Sequence, residues 1–350
     1  MQSWPQMIPE KLRPLEDVGK VRIVLFTTGG LGDTIIFSPV FRAARRAFPR
    51  AEIVLATASP LVQELYSSAL ELDRIEIIDT NRKLSPALYA RLLRFGVKCR
   101  HGKGVDLLVC ASRLSPWLIR LFKVVCRPRN VMSMTFPPED ISDLDVNATL
   151  ARRLAPDISI DVFAPVAAAA AVRLETLLSE KYDVADAGRL VAVYPSVTKP
   201  NRPRWSLRSL VKIAMRIAGP IHGNVAVIGG AIEGQECRTI CGNRKEILNL
   251  AGMLTIPETA ALLARARLAI CNDGGIMHLA GAVGCPMVAI MSGVSRYHRP
   301  PGEFVHVITP PVIEGISVGI ERIEEELVYK AAEELLDATA GRSLTSASIG

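Results

Sequence analysis

The sequence predicts an α/β protein of two domains, each built on a doubly wound parallel sheet. The chain has 350 residues, which exceeds the usual size of one hydrophobic core and suits two domains of about 150 residues each. Short apolar runs alternate with longer amphipathic segments, as a parallel sheet with crossover helices requires. An irregular, Pro/Asp-rich stretch at residues 126–147 interrupts this alternation. The alternation therefore falls into two series, one for each sheet.

The first series starts with a nearly continuous apolar run at residues 21–27, which predicts a buried strand. A glycine-rich turn follows, and then an amphipathic helix at residues 34–48, which Pro49 ends. The same reasoning predicts strands at residues 52–56, 75–78 and 105–110, and helices at residues 60–70, 84–95 and 116–125.

The second series is reached through a short helix at residues 148–154 and an alanine-rich helix within residues 164–182. Its predicted strands are residues 190–194, 224–228, 247–250, 268–271 and 287–291. Its predicted helices are residues 206–217, 233–241, 256–266, 275–283 and 321–340. The domain boundary is expected near residues 160–188, and two such domains are expected to face each other across a cleft.

Composition excludes several classes of protein. The sequence has no run of about 18 uninterrupted apolar residues and begins with a polar segment, which argues against a transmembrane helix or secretory signal and favours a cytoplasmic protein. The formal net charge of +7 favours anionic ligands. Aromatic residues make up only 5% and the basic residues are dispersed along the sequence, which favours nucleotide-sugars or an anionic membrane face over nucleic acid.

The seven cysteines are expected to be buried free thiols, since they are odd in number and lie mostly in apolar segments. Only Cys237 and Cys241 are closely spaced, and no further ligands stand near them at a matching spacing. No metal site is therefore expected there.

The turn after the first predicted strand superficially resembles a dinucleotide-binding fingerprint. Ile35, however, stands where the third glycine belongs, and no acidic residue ends the second strand, so NAD is not expected. The turn does place Asp33 at a helix N-terminus, at the sheet edge where α/β folds bind ligands. A stabilising helix-end charge is the structural alternative. Gly29, Gly30 and Gly32 lack side chains and therefore leave space around Asp33. For this reason we favour a catalytic role for Asp33.

Two loops of the second domain predict a phosphate site. Residues 271–278, Cys-Asn-Asp-Gly-Gly-Ile-Met-His, indicate a strand end, a glycine turn and a helix start, where free amides and the helix dipole attract anions. Residues 195–206 bring positive charge to the same edge and can neutralise a diphosphate. The basic residues in and just after this loop are Lys199, Arg202, Arg204 and Arg208. A helix cap and a solvated basic loop are the structural alternatives.

Taken together, these loops resemble glycosyltransferase family 9, the ADP-heptose:lipopolysaccharide heptosyltransferases. The resemblance rests on residues 30–49, 199–205, 228–230, 254–266 and 272–286, which span most of residues 21–292. The Asp-x-Gly-x-x-His motif starting at Asp273, followed by Ala-x-x-x-Gly-x-Pro, is fairly specific to this family and its close relatives.

The resemblance implies a GT-B fold, in which the first Rossmann-like domain binds mainly the acceptor and the second binds the nucleotide-sugar. The implied domains are an N-terminal extension at residues 1–20, an acceptor-side domain at 21–165, a nucleotide-sugar-binding domain at 166–322, and a C-terminal helix and tail at 323–350. In this fold the C-terminal helix can cross back to the first domain.

The implied reaction is an inverting transfer, without metal or cofactor, of a sugar to a hydroxyl of a lipopolysaccharide-core or other surface-glycan acceptor. Heptose from ADP-heptose is the foremost donor. Asp33 would be the general base, with Gly30 and Gly32 in the acceptor-side loop. The implied donor-binding residues are Ser196, Thr198, Lys199, Arg204, Glu233, Met253, Asp273, Gly274, Gly275, Ile276 and His278. Glu236 is an alternative to Glu233 as ribose contact, and Lys199 an alternative to Arg204 as main phosphate contact.

One departure from the family is Gly274, since relatives often carry a hydroxyl or small residue there, so one phosphate contact is expected to be lost. Two other functions stay open, a non-catalytic nucleotide-sugar-binding protein and a GT-B-fold nucleotide-sugar epimerase. The implied partners are the nucleotide-sugar and a glycolipid or glycan acceptor, without nucleic acid. Peripheral contact with the cytoplasmic face of the inner membrane is compatible with such an acceptor.

Overall fold

The computed structural model describes residues 21–78, 86–100, 104–112, 114–134, 141–196, 203–242, 244–292, 299–313, 316–317 and 319–340. The chain divides into two compact units, Met1–Phe163 and Ala164–Gly350. None of the described helices is long and apolar enough to cross a membrane.

The first unit is built on a parallel sheet. Its described strands are β1 (Arg22–Thr27), β2 (Glu52–Thr57), β3 (Arg74–Ile77), β4 (Leu107–Cys110) and β5 (Asn130–Met132). Its described helices are α1 (Leu31–Phe37), α2 (Pro39–Ala47), α3 (Pro60–Tyr66), α4 (Pro86–Arg100), α5 (Pro116–Cys126) and α6 (Asp143–Leu154). The strand order is β3-β2-β1-β4-β5.

The central strands of this sheet are almost fully buried, as their β-branched apolar sequence predicts. On one side of the sheet, Phe26 of β1 stacks on Phe122 of α5, with ring centroids 3.8 Å apart. Elsewhere in the unit, Tyr66 packs edge-on against Phe163 and donates a hydrogen bond of 2.7 Å to its carbonyl oxygen. The Phe163 amide in turn donates to Ser38 Oγ at 2.9 Å. These bonds fasten the last residue of the unit to its core.

The second unit has its own parallel sheet. Its strands are β6 (Leu190–Tyr194), β7 (Asn224–Val227), β8 (Ile247–Asn249), β9 (Leu268–Asn272), β10 (Met287–Ile290) and β11 (Val305–Ile308), and a short antiparallel pair follows, β12 (Val312–Ile313) and β13 (Ile316–Ser317). Its helices are α7 (Ala168–Tyr182), α8 (Leu207–Ala218), α9 (Ala231–Cys241), α10 (Ile256–Arg265), α11 (Gly275–Ala282) and α12 (Glu325–Ala338). The strand order is β11-β10-β9-β6-β7-β8.

The C-terminal helix α12 packs against α8, β10 and β11 of the second unit. Arg267 donates to the carbonyl oxygens of Leu336 and Thr339 at 3.0 and 3.1 Å, so its guanidinium caps the end of this helix. The helix is thereby part of the second unit's core.

The predicted fold class, two α/β domains on parallel sheets, is confirmed, and every predicted strand lies within two residues of an observed one. Two details were wrong. The helix expected at residues 34–48 is two helices, because Pro39 has no amide to continue α1 and instead starts α2. The stretch 126–147, expected to be irregular, contains β5 and the first turn of α6, where the Ser142 side chain accepts from the Asp145 amide.

In each sheet the chain reverses its direction of winding at the centre, between β1 and β4 in the first unit and between β6 and β9 in the second. Open α/β sheets bind ligands at the carboxyl ends of the strands on either side of such a reversal. We therefore expect ligand-binding residues in the loops that follow β1, β4, β6 and β9.

Candidate functional site

In the second unit, the end of β9 is tied to the loop that follows β6 by Asn272. This side chain is fully buried. Its Nδ2 donates to the carbonyl oxygens of Pro195 and Trp205 at 2.8 and 3.0 Å, and its Oδ1 accepts from the Trp205 amide at 3.1 Å. Three hydrogen bonds from one amide thus hold both ends of the 195–205 loop. Asn272 is a site residue that was not predicted from the sequence.

Next to Asn272, the predicted phosphate loop opens helix α11. Gly274 is the N-cap residue in an extended conformation, and Gly275 is the first helical residue. Asp273, Ile276 and His278 are all buried around this turn. The first amides of a helix lack intrahelical partners and carry the positive end of its dipole. The structure therefore brings the predicted residues 273–278 together in a turn suited to an anion.

Tyr194, the last residue of β6, lies against this turn and was not predicted as a site residue. A Cβ atom on Gly274 would lie 2.8 Å from Tyr194 Cε1 and 3.0 Å from its hydroxyl oxygen. Burial raises the pKa of Tyr194 to about 12, and a hydrogen bond with the Ser196 side chain opposes the rise. Its position in the sequence could have identified Tyr194 as a site residue, because it places a hydroxyl group at the end of a predicted strand, at the carboxyl edge of the sheet.

Arg204, the predicted phosphate contact, is engaged within the protein. Its Nη1 lies 3.0 Å from Glu236 Oε2 and 3.4 Å from the Pro195 carbonyl oxygen. The Arg204 and Glu236 side chains are 38% and 26% exposed, so solvent weakens their attraction. The guanidinium is therefore held at the predicted edge, by an ion pair that an incoming anion can displace.

Glu233, the predicted ribose contact, caps its own helix. Its Oε2 accepts from the Gly230 amide at 2.8 Å. Met253 follows β8 and is partly exposed, with its sulfur 3.5 Å from the Tyr182 hydroxyl. The Gly252 amide donates to the Gly229 carbonyl oxygen at 2.9 Å, which holds the Met253 turn beside the turn of Glu233. Thr198 and Lys199 lie outside the described residues.

In the first unit, Asp33 is exposed on the turn after β1. Its Oδ2 accepts from the Gly30 amide at 2.8 Å, which caps α1. A Cβ atom on Gly29 would lie 2.6 Å from that same oxygen. The presence of these glycines therefore does not distinguish a catalytic Asp33 from a capping one, because the cap itself also requires Gly29. The glycine-rich turn fits either role of Asp33.

The same turn occurs in both units. Gly30 and Gly230 are N-cap residues in an extended conformation, and the acid three residues later, Asp33 or Glu233, bonds back to the cap amide at 2.8 Å. A shared capping device thus positions one carboxylate at the carboxyl edge of each sheet.

Asn147 joins the Asp33 turn to the loop after β4. This buried side chain accepts from the Ser112 amide at 3.3 Å and donates to the Ile36 carbonyl oxygen at 3.4 Å. Asn147 lies in the stretch 126–147, for which no functional role was predicted.

No three His, Cys, Asp or Glu side chains in the described parts of the chain are placed to hold one metal ion. Cys237 and Cys241 are both buried free thiols on α9. A hydrogen bond between them lowers the pKa of Cys241 to about 7.

Comparisons with known proteins agree with this architecture. Residues 166–302 match the sequence model of glycosyltransferase family 9 (heptosyltransferase). Lipooligosaccharide heptosyltransferase 2 of Haemophilus influenzae is 29% identical over 146 residues, which cover 40% of this chain and 41% of that protein. The chain thus spans less than half the length of this relative.

Two solved structures are similar over nearly the whole chain. A family 9 glycosyl transferase from Veillonella parvula has a TM-score of 0.76 at 18% identity, with 92% of this chain and 99% of that one covered. The ADP-heptose lps heptosyltransferase II of E. coli has a TM-score of 0.72 at 16% identity, with 91% and 100% covered. At such low identity the likeness establishes the fold, which is the GT-B class.

Proposed function

We propose that the protein is a member of glycosyltransferase family 9, and that it is an inverting glycosyltransferase that moves a sugar from a nucleotide-sugar to an acceptor hydroxyl. The observation that carries this proposal is the family match over residues 166–302, which includes the turn at the start of α11. The E. coli neighbour acts on ADP-heptose by its description. ADP-heptose is accordingly the foremost donor, and a lipopolysaccharide-core or other surface-glycan hydroxyl the foremost acceptor.

The donor half of the proposal rests on the second unit. The diphosphate is assigned to the amides of Gly274, Gly275 and Ile276, a ready-made anion site at a helix N-terminus. Arg204 supplies positive charge once the diphosphate displaces Glu236. We add Tyr194 to this set, because its hydroxyl lies at the Gly274 turn and, with a pKa of about 12, keeps its proton at neutral pH.

The remaining predicted contacts complete the donor assignment. Met253 is proposed to cover one face of the adenine, and Glu233 to bond the ribose with the carboxylate oxygen that does not cap Gly230. Ser196, whose side chain hydrogen-bonds with Tyr194, is proposed to add a second hydroxyl to the phosphate site. The buried His278 is proposed to pack beneath the turn. Thr198 and Lys199 are proposed as further phosphate contacts.

The chemical step is assigned to Asp33 of the first unit. Its carboxylate takes the proton of the acceptor hydroxyl as that oxygen forms a bond to the anomeric carbon. The bond from that carbon to the diphosphate oxygen breaks at the same time, and the diphosphate leaves with the electron pair. Attack opposite the leaving group inverts the configuration. The α11 amides and Arg204 stabilise the charge of the leaving group without a metal.

The test of this step is Asp33→Asn. Asparagine keeps an oxygen that can accept from the Gly30 amide but cannot take a proton, so we expect kcat to fall by about 10²–10⁴ with the fold retained. Asp145→Asn is the matched control, since Asp145 occupies the same third position of a helix in the same unit. Transfer by Asp33→Asn within about threefold of wild type would exclude Asp33 as the base.

The donor is tested by thermal unfolding with a panel of ADP-, GDP-, UDP- and dTDP-sugars. A ligand at 100 times its Kd stabilises the folded state by about 2.7 kcal/mol. We expect ADP-heptose to give the largest shift, and a panel without any shift contradicts the donor assignment. Binding without transfer to any acceptor would favour the non-catalytic alternative. Interconversion of the sugar without an acceptor would favour the epimerase.

The proposed acceptor also indicates where in the cell the protein acts. A glycolipid acceptor presents its hydroxyl at a membrane surface, and the proposal places the protein in the cytoplasm with peripheral contact at the inner membrane. Nucleic acid has no part in it.

A further inference from the structure

Helices α4 and α5 of the first unit carry positive charge without any acidic residue. Together they contain six Lys or Arg residues and no Asp or Glu. The chain as a whole has a formal net charge of only +7, because acidic residues elsewhere balance most of the basic ones. The basic residues, which look dispersed along the sequence, therefore include an unbalanced group on one helix pair.

The two helices form one layer of the first unit. Their inner sides contribute Phe95 and Phe122 to a common core against the sheet. They touch each other at Gly96, where a Cβ atom would lie only 2.7 Å from the Val125 carbonyl oxygen. Since both helices bury the same side and are in contact, their opposite sides form one outer surface.

This outer surface is apolar as well as basic. Leu93 and Val97 of α4 are 58% and 50% exposed, and Trp117 and Val124 of α5 are 44% and 67% exposed. Residues four and seven positions apart lie on the same side of a helix, so each pair forms a stripe along its helix. The exposed basic residues beside these stripes are Arg91, Arg94, Lys98 and Arg120.

At least two of the charges on this surface, those of Arg94 and Arg120, are available to an external partner. Lys98 lies 3.3 Å from Glu76 and is 58% exposed. In the part of the chain that the structure describes, Arg94 and Arg120 form no ion pair. An exposed apolar group of this kind usually marks an interaction site.

We propose that the outer surface of α4 and α5 binds an anionic phospholipid membrane. Arg and Lys side chains can reach lipid phosphates while Leu93, Val97 and Val124 enter the boundary between headgroups and acyl chains. Trp117 suits the headgroup level, where tryptophan is enriched. A surface that binds nucleic acid would carry the positive charge without exposed aliphatic stripes. The combination of basic and apolar side chains on this surface therefore favours a membrane.

The position of this surface fits the proposed function. The purpose of membrane binding, delivery of a lipid-borne acceptor, rests on that proposed function. Helix α5 begins just after the carboxyl end of β4, and β4 pairs with β1 in parallel. Trp117 and Asp33 therefore lie toward the same edge of the first sheet. A membrane held at α5 would present a lipid-borne acceptor at the edge that carries Asp33.

Co-sedimentation of the full-length protein with vesicles tests the proposal. We expect binding to phosphatidylcholine vesicles that contain about 30 mol% phosphatidylglycerol, and little binding to phosphatidylcholine alone. The double variant Arg94→Glu/Arg120→Glu should lower the partition coefficient more than tenfold. Arg152→Glu/Arg153→Glu is the matched control, because it changes the net charge equally on exposed residues of α6, which packs on α1 and α2. The control should change binding less than twofold.

Tryptophan fluorescence gives an independent readout. We expect the emission to shift to the blue when anionic vesicles are added, and Trp117→Phe to remove this shift while vesicle binding persists. Trp117→Ser/Val124→Ser should weaken binding about three- to tenfold, since it removes apolar contact but no charge. Circular dichroism of each variant confirms that it is folded.

Three results would overturn the proposal: wild-type binding by Arg94→Glu/Arg120→Glu, equal losses in the charge-matched control, or equal binding to neutral vesicles. Transfer to a de-acylated, soluble core oligosaccharide separates this question from the proposed function. The α4–α5 variants should keep that activity. A wild type that binds vesicles but transfers nothing contradicts the proposed function alone.

Discussion

The phenol ring of Tyr194 occupies the space that a side chain on Gly274 would need. The ring belongs to β6 and the glycine to the turn after β9, and a Cβ atom there would come within 2.8 Å of the ring. Gly274 has an extended conformation that any residue can adopt. Contact with Tyr194, and not backbone strain, therefore makes glycine necessary at this position.

Gly274→Ala should destabilise the protein by about 1–3 kcal/mol, the usual effect of overpacking a buried contact. Chemical denaturation measures this. Gly219→Ala is the control, because a Cβ atom at Gly219 would meet nothing within 4 Å. Adding Tyr194→Leu should recover part of the loss, since leucine lacks the ring atoms nearest to position 274. Purely additive losses would show that the two residues do not compete for this space.

Tyr194→Phe should raise the donor KM about three- to tenfold and leave kcat nearly unchanged. The reason is the loss of one hydroxyl donor to the diphosphate, worth about 1 kcal/mol. Steady-state kinetics against the nucleotide-sugar measure both constants. Ring packing on Gly274 is retained, so the melting temperature should hardly change. An unaltered KM would remove Tyr194 from the donor site.

Asn272→Ala should lower the free energy of unfolding by roughly 2–4 kcal/mol and raise the donor KM. It breaks three buried hydrogen bonds and leaves carbonyl oxygens without a partner, while the loop that carries Arg204 loses its anchor. Urea unfolding and donor kinetics measure the two effects. Asn130→Ala, which alters a buried asparagine at the start of β5, should reduce stability without changing the KM.

Glu236→Gln should lower the donor KM about two- to fivefold. Glu236 competes with the diphosphate for Arg204, and neutral glutamine holds the guanidinium less strongly. Arg204→Ala should have the opposite effect and raise the KM at least tenfold. A higher KM in Glu236→Gln would instead identify Glu236 as the ribose contact.

The free energy of unfolding should fall as the pH rises above 10. Burial raises the pKa of Tyr66 far above its ordinary value and that of Tyr194 to about 12. A phenol that ionises near pH 10 only when unfolded contributes stability that is complete below pH 10 and is lost above it, by about 1.4 kcal/mol per pH unit.

Comparison with Tyr66→Phe isolates one phenol. This variant should be less stable at pH 8, because the Phe163 carbonyl oxygen loses a buried donor. It should also lose stability less steeply than wild type between pH 10 and 12, as denaturation at several pH values would show. Parallel curves for the two proteins would contradict the prediction.

Much of the fold follows from sequence, because buried parallel strands are apolar throughout and the helices between them are amphipathic. The location of the candidate turns follows as well, since the carboxyl ends of parallel strands share one edge. Residues 273–278 and Asp33 were predicted to lie at such turns, and both do; their functional roles stay predictions.

Other features depend on contacts between distant segments. The partners of Asn272 lie 67 and 77 residues earlier in the chain, and nothing local marks them. The rotamer of Glu233 and the pairing of Arg204 with Glu236 are set by neighbours that periodicity does not specify. The charge imbalance of α4 and α5 is visible in the sequence, but their common outer surface is defined only by the packing of Gly96 on Val125.

All seven cysteines are free and buried. A cysteine introduced at exposed Val124 would consequently be the thiol that a polar maleimide or spin label reaches first, without removal of any native cysteine. The wild-type sequence is thus a ready background for site-directed labelling, in which a single probe on α5 can report its depth relative to a lipid bilayer.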